Sequence, residues 1–320
     1  MATASELAKD KVRRLTSVPD DFLSKIPASE AQVYDSVVGL ISRLEIKNGS
    51  YVISTKNLKI ASEISQLLKG VLLSSDYTKY VAEFAREFDT QAKISDEFFK
   101  KTFPEFTVSE MAVAVNQISK RETIDLLLNR ASDAEFIAPL RDIIEQAVIN
   151  GSGYTETLKS IRTFIQGDAE IAGKMERYSR LYAHDAFAIS DRSYTSVVSE
   201  ELGIEWFFYS GDTIATTRPF CDERHNQYYY YKEIEAWGAG KPTLGKNGTN
   251  QETAWPEGGT WAGRIQETNS TNIYSYGGGW NCRHSILPVS IFSVPKEVIE
   301  RNIASGNYSP TEKEAELLGL

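Results

Sequence analysis

The chain has 320 residues, 41% of them hydrophobic and 25% charged, and its formal net charge is −9. Such a composition can bury a core, and the length is enough for two domains. The acidic balance argues against a protein whose main work is coating nucleic acid, which draws on clustered Lys and Arg, and it favours contact with a basic partner surface. No apolar run approaches the ~18 residues of a membrane span, and the polar start Met1-Ala-Thr-Ala-Ser-Glu lacks the apolar core of a signal peptide. The expectation is therefore no membrane. Two cysteines do not make a disulfide framework, which points to a reducing compartment.

Residues 1 to about 200 read as mostly helical. Ser29-Glu-Ala-Gln32 fits a capping box, followed by Val33, Val37, Leu40, Ile41 and Leu44 at spacings of three and four. Asn48-Gly49 then suits the positive backbone angles of a type I′ turn, which predicts a small hairpin. Helical periodicity resumes from Leu58 to near Gly70. It returns after Ser75 through Tyr77, Val81, Phe84, Phe88, Phe98 and Phe99, until Pro104 breaks it. Thr107-Val-Ser-Glu110 opens another helix, and two more are predicted over residues 134–149 and 154–165. The last of the series runs from about 169 to 202, with Ile171, Met175, Tyr178, Tyr182, Ala186, Ile189 and Val197 on its buried side and Gly203 as its stop. His184 in this helix reads as a core or surface histidine and not as a ligand.

At Gly203 the texture changes. Residues 204–209 form an aromatic run of strand type, and residues 228–231 form a second one. Residues 238–248 and 256–259 are loop-forming. Residues 285–292 predict a closing strand that Pro288 places at an edge or bulge. A helix follows near 295–303, and Ser309-Pro310 is expected to open a short final one. The fold class is thus α+β, a mostly helical N-terminal region followed by a small C-terminal α+β module with short strands and long loops. The domain boundaries expected are 1–168, 169–294 and a helical tail, 295–320.

Both cysteines and two of the three histidines fall in two short segments, Gly211 to His225 and Gly277 to His284. Cys221 and His225 form a Cys-x3-His pair, and Cys282 and His284 form Cys-x-His. Zinc takes four N or S ligands in a tetrahedral shell, so a set of two cysteines and two histidines would satisfy it and staple a loop-rich module. Two reduced, buried cysteines are the alternative, and a Cys221–Cys282 disulfide is a third. A Cys-His nucleophile, with Asp212 or Asp222 orienting the base, matches no nucleophile signature at this spacing. The run Gly277-Gly-Gly279 is not followed by Lys-Ser/Thr, so it reads as a flexible turn and not as a phosphate loop. Arg218 and Arg283 lie one in each segment, where a guanidinium can tie loops through carbonyls or pair with Asp212.

At these residues the sequence resembles the phage Mu F-like minor head protein family, also described as phage head morphogenesis proteins. The resemblance covers roughly residues 170–292. Its central motif is Asp212, Thr217 and Arg218 with Cys221 and His225, and its closing motif is Asn281-Cys282-Arg283-His284, where His284 stands in place of the family's usual final Cys. The resemblance implies a virion component made in the host cytoplasm. Its partners would be the portal protein and the major capsid protein, with phage DNA as a further contact. It would act in head assembly, with packaging or ejection as further roles, and not as an enzyme. The runner-up is a nuclease-like or transferase module using His225, Arg218 or His284.

Overall fold

The computed structural model describes residues 2–240 and 261–320. It is predominantly helical at the N-terminal end, with short antiparallel strands in small sheets, one a hairpin around Asn48 and the other a three-stranded sheet after residue 205. The expected α+β class holds. Of the loops expected over 238–248 and 256–259, residues 241–260 lie outside the described residues.

By contacts the described chain falls into two compact units, residues 1–16 with 88–119 and 184–320, and residues 17–87 with 120–183. These units do not follow the boundaries expected at 168 and 294. The physical reason is that α1 (Ala4–Ile41), α3 (Asp76–Thr102), α4 (Glu110–Asp125) and α7 (Lys174–Glu201) each contribute residues to both.

Residues 17–87 and 120–183 form a helical unit. Within it the predicted hairpin is present as β1 (Ile46–Lys47) paired with β2 (Ser50–Tyr51), turned by Asn48 at φ 53° and Gly49 at φ 80°. The capping box at Ser29 is not an N-terminus. Helix α1 continues through Pro19 and Pro27, and Ser29 is fully buried within it. Gln32 serves a different helix, accepting the Asp76 N–H at 2.9 Å where α3 begins. Helix α2 (Thr55–Ser74) runs past Gly70 and packs on α5 (Ala138–Ile149), with α6 (Tyr154–Gln166) following. The core is aromatic: Phe22 stacks on Phe84 at 4.9 Å, Tyr77 meets Tyr178 edge-on, and Phe136 stacks on Phe164. Ile171 is exposed and precedes α7, since the chain from Gly167 to Gly173 is a loop and not the first turns of that helix.

The other unit carries the candidate site. Its three-stranded antiparallel sheet has β3 (Trp206–Ser210) in the centre, β4 (Gln227–Tyr230) on one side and β5 (Ser285–Pro288) on the other. Pro288 lies on an edge strand, where its missing N–H is tolerated. Phe207 pairs with Tyr229 and Pro288, and Tyr209 with Gln227 and Ile286. Strand alternation therefore gives the sheet two faces. One face, with Phe207, Tyr209, Tyr229 and Ile286, packs onto Phe220, Trp261 and the two cysteines, together with Trp237 of α9 (Tyr231–Gly238) and Ile273 of α10 (Ile273–Tyr276). The other carries Trp206 and Tyr230, which pack with Val294, Ile299 and Tyr308 of the C-terminal segment. That segment is thus part of the unit's core. Its helix α11 (Lys296–Ala304) is where the sequence placed it, whereas the final helix, α12 (Glu312–Leu318), is capped by Thr311 with Glu314 in a reciprocal box and not by Ser309-Pro310.

Candidate metal centre

The short helix α8 (Pro219–Arg224) opens on proline, whose fixed φ suits a first helical position, and it turns Cys221 into the core. Cys282 follows the glycine run, and His284 precedes β5. Cys221, Cys282 and His284 are all buried, and one ligand atom from each lies within 4.8 Å of the others. This group can hold a metal ion. The two sulfurs are 4.0 Å apart. Two Zn–S bonds of ~2.3 Å at a tetrahedral angle place their sulfurs about 3.8 Å apart, whereas a disulfide needs about 2.0 Å. Both cysteines are free. His284 stacks on Tyr209 with ring centroids 5.1 Å apart, and its Nε2 is buried without a hydrogen-bond partner. A buried orphan nitrogen is costly in a folded protein, and a metal bond is one way to satisfy it.

The electrostatics divide the two sulfurs. The Cys282 thiol is held well below its ordinary value, first by its hydrogen bond from Cys221 and then by His284 and Arg192. Cys221 moves the other way, because it keeps the proton it shares with Cys282 and because it is desolvated. Cys282 also accepts the Gly278 N–H at 3.3 Å, a hydrogen bond that favours the charged form. The glycine run is a turn, as expected, and it is packed closely against the sulfurs. A Cβ at Gly278 would collide with the Cys221 sulfur and lie 3.2 Å from that of Cys282, so only glycine lets the backbone come this close.

His225 does not join the group. Helix α8 ends at Arg224, and His225 is a half-buried residue beyond it with Nε2 2.7 Å from the Asn226 side-chain nitrogen. Asn226 has φ 59°, which interrupts strand alternation before β4. His225 consequently lines a cleft of about 1100 Å³ with Asp212, Phe208, Tyr228 and Lys9. Of the four residues expected as ligands, three are brought together and His225 is not.

The remaining motif residues have definite places. Arg218 donates to the Trp280 carbonyl and, at 3.4 Å, to that of Gly278, so it ties the two segments as expected. Thr217 closes a local turn, its Oγ1 accepting the Ile214 N–H at 2.6 Å. Asn281 adopts φ 56° and donates its N–H to Asp185. Asp212, Asp222 and Arg283 are exposed, and Arg283 is the solvated arginine of the two.

Four contributors were not singled out from the sequence. Arg192, 2% exposed, donates from Nε to the Ser275 carbonyl at 2.7 Å and from Nη1 to those of Cys282 and His284, each at 3.0 Å. Asp185, two helical turns earlier, anchors Asn281, and burial pushes its carboxyl up to about 6. Tyr209 places its hydroxyl 3.4 Å from the Cys221 sulfur and 3.8 Å from that of Cys282. Gly278 is the fourth. The one available signal was the pair Asp185 and Arg192, seven apart and so on one helix face, within a stripe otherwise read for its aromatics. His184, read as a core or surface histidine, is buried.

Comparison with family models, with curated proteins and with solved structures finds no match to this chain.

Proposed function

We propose that this chain is a minor structural protein of a bacteriophage head, and that its C-terminal module is clasped by zinc on Cys221, Cys282 and His284. The head role rests on the resemblance carried by the segments Asp212 to His225 and Asn281 to His284. The observation that favours a structural over a catalytic role is where the polar groups of those segments end. Arg192 and Arg218 spend their donors on the carbonyls of Ser275, Gly278, Trp280, Cys282 and His284. Cys221, Cys282 and His284 are between 2% and 5% exposed. A nucleophile needs access to its substrate, and these groups face the protein itself. Zinc suits the set because thiolate and imidazole are its common ligands in structural sites.

In this reading the protein is made in the host cytoplasm and enters the virion with the portal and major capsid proteins. Phage DNA is a secondary contact at most, given the net charge of −9. Procapsids purified from cells that express the chain with its own phage's portal and capsid proteins should contain it, and particles that form normally without it bound would refute the head role. Elemental analysis should find about one zinc per chain. That zinc should be lost in Cys282→Ser and His284→Ala and kept in His225→Ala. A metal-free wild-type protein, or zinc that survives both losses, would refute the clasp.

A further inference from the structure

Three protein ligands leave a tetrahedral zinc one donor short. In a catalytic site the fourth position belongs to water, but here the surroundings are closed. The Tyr209 hydroxyl is a further oxygen donor that lies beside both sulfurs. With the two sulfurs it makes a triangle with sides of 4.0, 3.4 and 3.8 Å. A tetrahedral ion with Zn–S bonds of ~2.3 Å and a Zn–O bond of ~2.0 Å would produce a face with sides of about 3.8, 3.5 and 3.5 Å. The observed triangle matches that face to within about 0.3 Å on every side.

We propose that Tyr209 is the fourth ligand, so that the centre takes two thiolate sulfurs from Cys221 and Cys282, a nitrogen from His284 and a phenolate oxygen from Tyr209. The protons of both thiols and of the phenol are released to solvent as the metal binds. The inference deepens the zinc clasp and rests on it. Three further observations favour Tyr209. It sits on the central strand β3 on the same face as Ile286 of β5, and His284, two residues before Ile286, stacks against its ring. It is almost completely buried, among Phe220, Trp237 and His284, which hold the ring in place. The competing donor, Asp185, does not fall within 4.8 Å of the other three ligand atoms and already accepts the Asn281 N–H. Its place is behind the ligands, holding the closing motif.

The test is a titration of the full-length, metal-free protein with zinc alone, against a competing chelator, with the ultraviolet difference absorption of a metal-bound phenolate followed in parallel. Wild type should develop that band to saturation at one zinc per chain. Tyr209→Phe should bind zinc without the band and at least about 10-fold more weakly. Zinc binding by wild type with no phenolate band, or an unchanged band in Tyr209→Phe, overturns the fourth ligand and leaves the clasp standing. Absence of zinc binding in wild type overturns both. Should Tyr209→Phe fail to fold, cobalt(II) in the wild-type site gives a second reading. Its tetrahedral spectrum should be indifferent to added azide, since the protein fills all four positions, and a shift on azide addition would reveal a solvent ligand and overturn the proposal.

Discussion

Replacing Arg192 by methionine tests how the closing segment is held. The side chain is 2% exposed and satisfies three backbone carbonyls, those of Ser275, Cys282 and His284. Hydrogen bonds from a charged donor contribute about 1.5–3 kcal/mol each, and each buried carbonyl left unpaired costs about 1–3 kcal/mol. The three share one guanidinium and do not add independently. The expected loss is on the order of 4–6 kcal/mol, which is a large part of the roughly 5–15 kcal/mol that keeps a typical domain folded. Lysine at 192 keeps the charge but cannot span three acceptors with a planar fork, so it should recover less than half of that loss. Among the described residues the tryptophans, Trp206, Trp237, Trp261 and Trp280, all lie in the same unit as Arg192, so urea unfolding followed by tryptophan fluorescence reports on it. A methionine variant within about 1 kcal/mol of wild type, below the worth of one such bond, would refute the role assigned to Arg192.

Other positions carry equally direct expectations. Gly278→Ala drives a Cβ into the Cys221 sulfur, and overpacking of this kind costs about 1–3 kcal/mol; zinc content should fall with it, and a fully zinc-loaded, equally stable variant would contradict the close approach. Glu30 is buried and accepts the Glu176 N–H at 2.9 Å at the start of α7, and burial raises its carboxyl from 4.5 to about 7. Because the folded-state value is the raised one, its protonation supports the fold fully below about pH 4.5, and that support is lost as pH rises through 7. Glu30→Gln should therefore gain stability over wild type at pH 8, by up to about 3 kcal/mol, and lose the gain at about pH 4, as read by thermal melts at the two pH values. Lys11 and Asp191 form an ion pair at 2.9 Å with both side chains fully buried, and Lys11 also bonds to Thr195. Lys11→Met should cost about 3–5 kcal/mol by stranding the carboxylate, and Lys11→Met with Asp191→Asn should recover much of it in the same urea assay.

The parts of the fold that are local in sequence were legible there, and the parts that depend on distant partners were not. Asn48-Gly49 dictates its own turn, and the spacing of Tyr77, Val81, Phe84 and Phe88 dictates a buried helical stripe, because each signal is complete within a few residues. Ser29-Glu-Ala-Gln32 carries a local signal as well, yet α1 runs through it. The side chains that would have closed the box are taken elsewhere, with Ser29 packed inside and Gln32 bound to Asp76. Arg192 was invisible for a related reason. An arginine in the middle of a 28-residue helix looks solvated until the carbonyls of residues some 90 positions later arrive to meet it.

The metal ligands show how far one backbone angle can redirect a motif. Tyr209 pairs with Gln227 on one side and Ile286 on the other. Extending both partners by two residues on the same face would bring His225 and His284 together beside Gly211, and all four Cys and His residues of the sequence motif would then converge. On the β5 side this is what happens, and the His284 ring lies on Tyr209. On the β4 side, Asn226 takes φ 59° and gives its N–H to the Tyr209 carbonyl. The left-handed residue breaks the alternation, and His225 turns into the cleft instead. The position that a second histidine would have filled is next to Tyr209, whose hydroxyl stands within 3.8 Å of both sulfurs. The turn at Asn226 accounts for the loss of His225 from the expected ligand set, whereas the approach of Tyr209 to the sulfurs follows from its place on the face of β3 that packs on the two cysteines.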